Sequence, residues 1–160
     1  MEFKDILEAS KLPIIVGIVF NAILSIVPYL IGSLFIVPYQ IASNVIFVIF
    51  FLILSYGGNF LLFFYSGYRS AKNFNRPLVD CGAISSFSSI CVGIVTSVIV
   101  SIVFVITTFE RPLSNNFIVT AAGVVLLFGI AAVSSLITII ISGVVNFIVG
   151  AIGGAIGGAK

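Results

Sequence analysis

Three stretches of this chain carry no charged residue: 12–68, 81–109 and 112–159. Each is longer than the roughly 20 apolar residues that cross the hydrocarbon core of a bilayer. A soluble domain carries about 25% charged residues, and this chain of 160 residues has only 8%. It could not cover a water-facing surface, so it belongs in a membrane. The stretches are continuous rather than alternating, which predicts helices and not barrel strands. The fold class that follows is an all-α, polytopic transmembrane bundle forming one membrane domain. Residues 1–11 are acidic on balance and lack the basic start of a cleaved signal, so no removal is expected.

Four spans are predicted, at 12–37, 41–66, 82–108 and 117–142. Pro13 falls in the first turn of the first span, where proline is tolerated. A tight link is expected at 38–40 and a basic loop at 67–81. The last segment fits poorly. From Phe117 to Lys160 there are 44 residues, roughly 66 Å as one helix, about twice the thickness of the core. A fifth crossing would need a turn near 131–135, where neither charge nor proline marks one. The expectation is four spans, with a break after 142. That leaves a glycine-zipper extension, 143–160, at the interface or re-entering the membrane.

Lysine and arginine counts orient the bundle. Lys4, Lys11, Arg69, Lys72, Arg76 and Lys160 fall on one side of a four-span topology, and Arg111 alone on the other. Both termini of this multi-pass protein are therefore expected to be cytoplasmic, in the cell membrane. Tyr29, Tyr39, Tyr65 and Tyr68 lie toward span ends, as an aromatic belt would place them. Cys81 and Cys91 would lie about 15 Å apart on one helix, too far to form a disulfide, and read as small buried side chains.

Residues 16–27, VGIVFNAILSIV, echo residues 92–103, VGIVTSVIVSIV, with eight of twelve positions identical. The echo is either a parallel duplication or a product of shared composition. In both cases it places Gly17, Asn21 and Ser25 over Gly93, Ser97 and Ser101, each set on one helix face. The third span extends its stripe back through Ser89, Ser86 and Gly82. Small and weakly polar faces let membrane helices approach closely. Gly150, Gly154 and Gly158 repeat the spacing of four in the last segment. Their ribbon of small residues runs back through Asn146, Ser142, Thr138 and Ser135 to Ala131, with Gly153 and Gly157 forming a second small face beside it. Four-residue steps drift on a helix, so the ribbon suits a G-x-x-x-G crossing or two different neighbours.

Asn21 and Asn59 come to the same depth when the first hairpin folds. They either line a polar site, with residues 55–59 (SYGGN) interrupting the second helix, or clamp the hairpin with a hydrogen bond. Arg69, Lys72 and Arg76 share a face at i, i+3, i+7 if the second helix continues. They then serve as anionic-lipid contacts or as topology determinants.

No charged side chain lies within any predicted span, whereas proton relays and ion-coupled transport usually need such groups. The chain has no histidine, which excludes a Ser–His pair and weakens any case for a metal centre. No enzyme activity, cofactor, metal or nucleic-acid partner is expected. Four spans, the basic turn GYRSAK (67–72) and the glycine-zipper end resemble a family of small archaeal integral membrane proteins. That family has no assigned activity and supplies no site residues. The resemblance implies a small polytopic protein of a prokaryotic inner membrane or archaeal cell membrane. The functional expectation is a non-enzymatic protein acting through helix packing, as a homo-oligomer or a small accessory subunit of a membrane complex. Alternatives are a small channel or uncoupled transporter with a site near Asn21 and Asn59, and a membrane-permeabilising role for the tail.

Overall fold

The computed structural model describes the backbone of residues 3–34, 41–109 and 117–160, with side chains described at 4–26, 49–102, 129–130 and 132–160. It consists of four helices: α1 (Phe3–Leu34), α2 (Ile41–Phe74), α3 (Leu78–Phe109) and α4 (Phe117–Ile156). No strand occurs among the described residues. Each helix contains a stretch long and apolar enough to cross a membrane: Lys4–Ile26, Ile49–Phe74, Leu78–Ile102 and Ala132–Ile156. The chain is a multi-pass membrane protein of the all-α class. The link at 38–40, and the side chains of Tyr29, Tyr39 and Ala131, lie outside this description.

Four boundaries differ from the sequence expectation. Helix α1 begins at Phe3, so Pro13 lies inside it and not in its first turn. The preceding residues continue an inward face through Ala9, Ser10 and Pro13, all buried. A proline there leaves the Ala9 carbonyl without its helical donor, a defect that membrane helices tolerate when neighbours cover it. Helix α2 is unbroken through Gly57 and Gly58 and runs on to Phe74. Its continuation buries Ser66, Ser70 and Ala71, which explains why the basic segment is helical rather than a loop. The connection to α3 is therefore only residues 75–77. Asn75 takes the left-handed conformation (φ 49°), which asparagine tolerates better than most residues. Pro77 then caps α3, its carbonyl accepting the Cys81 N–H at 3.1 Å, and Asp80 in the first turn suits the helix dipole.

Finally, α4 does not break after 142; it is one helix of 40 residues. It stops at a Schellman motif. The Gly158 N–H bonds to the Ala155 carbonyl at 3.2 Å and the Ala159 N–H to the Gly154 carbonyl at 2.9 Å. Gly158 itself has φ +92°, the conformation this motif requires and that glycine adopts without strain.

Helices α2 and α3 form the centre. Both touch α1 and both touch α4, whereas α1 and α4 do not meet among the described residues. The packed core lies where the start of α1, the end of α2, the start of α3 and the end of α4 come together. It is built from small side chains: Ala9, Ser10, Ser66, Ser70, Ala71, Cys81, Ser85, Ser88 and Ser89 are buried, with Phe63, Ile84, Val92 and Val149 among them. Lipid competes with leucine for apolar contact, so close backbone approach and interhelical hydrogen bonds hold such a core.

Candidate functional site

The glycine end of α4 lies in this core, covered by its own bundle. A Cβ on Gly150 would overlap the Ser85 hydroxyl and lie 2.9 Å from the Cys81 carbonyl oxygen, and one on Gly154 would lie 2.7 Å from the Cys81 Cβ. These two glycines therefore face α3. One step round the helix, Gly153 meets the Phe64 carbonyl and Gly157 lies against Tyr68 and Ala71, so this pair faces α2. Gly67 of α2 in turn seats the Gly150 carbonyl. Two glycine faces thus fit α4 into the crease between α2 and α3: the ribbon residues Ser142, Asn146, Gly150 and Gly154 lie against α3, and the second face, Gly153 and Gly157, lies against α2. Gly158 is a correction: nothing lies within 4 Å of its Cβ position, so it ends the helix and packs against nothing.

The paired stripes of α1 and α3 divide in the same way. Gly17 abuts Val92 and Leu62, and Gly93 abuts Ile139. Each glycine thus meets the return helix of its own hairpin at matched positions, since Leu62 and Ile139 are 77 apart where the sequence echo has an offset of 76. The serines do less. Ser25 donates to the Asn21 carbonyl at 2.7 Å and Ser101 to the Ser97 carbonyl at 2.8 Å, both within their own helices.

Asn21 and Asn59 form a reciprocal amide pair. Asn21 Nδ2 donates to Asn59 Oδ1 at 2.9 Å, and Asn59 Nδ2 donates to Asn21 Oδ1 at 3.1 Å. The second N–H of each amide goes to a carbonyl four residues back, Gly17 and Ser55 respectively, at 2.8 Å. All four amide N–H groups are thus engaged with protein, and the pair ties α1 to α2. A second polar junction ties α3 to α4. Asn146 Nδ2 donates to Ser89 Oγ at 2.7 Å and to Ser142 Oγ at 3.0 Å, and the two hydroxyls are 2.9 Å apart. Ser89 stands on the α3 stripe, while Ser142 and Asn146 stand on the α4 ribbon. The sequence showed both lines of residues but gave no signal that they meet here. Beside this junction an open, mainly apolar groove of about 390 Å³ lies between Ser86 and Ile90 of α3 and Ile140, Gly143 and Phe147 of α4. Ser85 adds a link from α3 to α2 through the Phe63 carbonyl, at 2.9 Å.

The three basic residues do not share a helical face. Arg76 lies beyond the end of α2, and its Nη2 pairs with Asp5 of α1 at 2.9 Å. Arg69 stacks its guanidinium over Phe74, at 5.7 Å from the ring centre. Lys72 lies over the Tyr68 ring and donates to its hydroxyl at 2.8 Å. Cys81 and Cys91 are free thiols. Among the described residues no three His, Cys, Asp or Glu side chains gather to hold a metal ion. No protein-family model matches the chain, and no curated protein or solved structure shows significant similarity to it.

Proposed function

We propose that this chain is a non-enzymatic protein of the cell membrane that acts by helix packing, as a homo-oligomer or as a small accessory subunit of a membrane complex. The observation that carries this reading is a contrast among its glycines. Those at 150, 153, 154 and 157 are filled by neighbouring helices of the same chain, but Gly57 on α2 and Gly129 on α4 have nothing within 4 Å among the described residues. A helix-interior glycine destabilises its helix by roughly 0.5–1 kcal/mol relative to alanine. At Gly57 and Gly129 no contact among the described residues offsets that. Both lie on outward surfaces, Gly57 beside Ile53 and Tyr56 and Gly129 beside Ile130 and Val133, all more than half exposed. A helix of a second copy or of another subunit approaching at these points would make use of the missing side chains. The clustering of Lys4, Lys11, Arg69, Lys72, Arg76 and Lys160 at one end supports a bundle with both termini in the cytoplasm.

The test is the size of the purified protein in mild detergent, together with photo-cross-linking from positions 57 and 129 in native membranes. An assembly that falls apart in Gly57→Leu or Gly129→Leu is the expected result, or a defined protein adduct at one of the two positions. A monomeric wild type that gives only lipid adducts at both positions would falsify the proposal.

A further inference from the structure

The last turns of α2 carry two cations that no carboxylate among the described residues pairs with. We infer that Arg69 and Lys72, framed by Tyr65 and Tyr68, bind the phosphate of an anionic phospholipid headgroup. The first support is position. At 3.6 residues per turn, these four residues fall within a sector of about 100°. The buried positions of the same turns, Phe63, Ser66, Ser70 and Ala71, lie on the opposite side, so the sector faces the surroundings. Arg69 and Lys72 are three apart, which puts their Cβ atoms about 5–6 Å from each other. The apolar span of α2 ends at Phe74, so both cations lie at the level of the lipid headgroups. The Tyr65 and Tyr68 rings, stacked 6.5 Å apart, are of the residue type that favours this level.

The second support is charge. The one ion pair among the described residues is Asp5–Arg76, and it leaves Arg69 and Lys72 uncompensated. Nη1 of Arg69 is shut off from solvent and has no hydrogen-bond partner, a costly state for a guanidinium. Lys72 gives one of its three N–H donors to Tyr68 and keeps two. Like charges one turn apart on a helix repel. A single phosphate placed between them relieves the repulsion and the unmet charge together. Guanidinium engages phosphate through a planar fork and ammonium as a point charge. A zwitterionic headgroup brings its own cation to the same place, so the site should prefer a headgroup with net negative charge.

The experiment uses the full chain with Leu61→Trp, an exposed position one turn deeper on the same face. The sequence contains no other tryptophan, so the reporter is unique. The protein is reconstituted in phosphatidylcholine vesicles containing brominated phosphatidylglycerol, and quenching gives the relative affinity of the two lipids at the site. A basic residue near an anionic surface is worth about 1 kcal/mol, so the expected preference is about fivefold per cation and about thirtyfold for the pair. It should fall to parity in Arg69→Gln/Lys72→Gln. It should persist in Arg69→Lys and in Lys4→Gln/Lys11→Gln, and it should survive excess inorganic phosphate. Parity in the reporter protein itself overturns the inference without relying on any variant's folding. So does a preference that remains in the double glutamine variant with helicity intact, which would be general surface charge. A preference abolished by inorganic phosphate, or equally lost in Lys4→Gln/Lys11→Gln, also overturns it.

Discussion

Replacing Gly153 with alanine adds one methyl group where α4 crosses α2. That methyl would overlap the Phe64 carbonyl oxygen and lie 3.1 Å from both the Phe64 carbonyl carbon and the Tyr68 amide nitrogen. All three obstacles are backbone, so no side-chain rotation relieves the overlap and the helices must move apart. Overpacking of this kind costs about 1–3 kcal/mol, and the better helix propensity of alanine returns roughly 0.5–1 kcal/mol. Because every obstacle is backbone, the cost falls in the upper part of that range, about 2–3 kcal/mol, and the net expectation is a loss of about 1–2.5 kcal/mol, roughly a 5- to 70-fold fall in the folded-to-unfolded ratio. Gly57→Ala makes the comparison within a single chain: its new methyl meets nothing within 4 Å among the described residues, so in the dissociated monomer only the propensity gain of roughly 0.5–1 kcal/mol remains. Opposite signs are expected when dodecyl sulfate is titrated into mild-detergent micelles and helicity is followed by far-ultraviolet circular dichroism. If Gly153→Ala is as stable as the parent, α4 does not lie against α2 at this point, and the reasoning about the glycine faces fails with it.

Three further outcomes are expected from the asparagine pair and the charge distribution. Asn21→Leu and Asn59→Leu should each cost about 0.6–1.7 kcal/mol, the range found for hydrogen bonds between membrane helices. The double variant should lose less than the sum, since each single change leaves the other amide half-satisfied; strict additivity in a double-mutant cycle would show that the pair does not form. Liposome permeation should be the same in wild type and double variant, and solute flux lost only in the double variant would instead establish the channel reading. A cysteine introduced at position 160, in a chain lacking Cys81 and Cys91, should react with impermeant reagent only from the cytoplasmic side. Labelling from outside alone would reverse the orientation.

Much of the architecture can be read from the charge gaps, because three uncharged stretches, the first long enough for two spans, admit few other folds. The spacing of four among the α4 glycines and the equal depth of Asn21 and Asn59 were legible for a similar reason: both depend on helix geometry alone. The failures fall where the deciding contact is distant in sequence. GYRSAK reads as a loop by composition, yet it is helical because Ser66, Ser70 and Ala71 are buried. Asp5 and Arg76 form a pair that no local spacing reveals. Gly158 has the same spacing as Gly150 and Gly154, but it sits after the last helical turn, where backbone conformation and not packing selects glycine. The glycine faces themselves were visible. That their neighbours are α2 and α3 of the same chain depended on the three-residue turn at 75–77.

Because α1 and α4 share no contact among the described residues, the bundle has two separable attachments to one hairpin. Helix α1 is fastened to the α2–α3 hairpin by Gly17, the asparagine pair and Asp5. Helix α4 is fastened by its glycines and by Asn146. A disturbance of one outer helix can reach the other only by deforming the hairpin between them. The crease that receives α4 also exists only once α2 and α3 lie side by side. The chain emerges in an order that satisfies this requirement: α4 is made after both helices whose joint surface it enters.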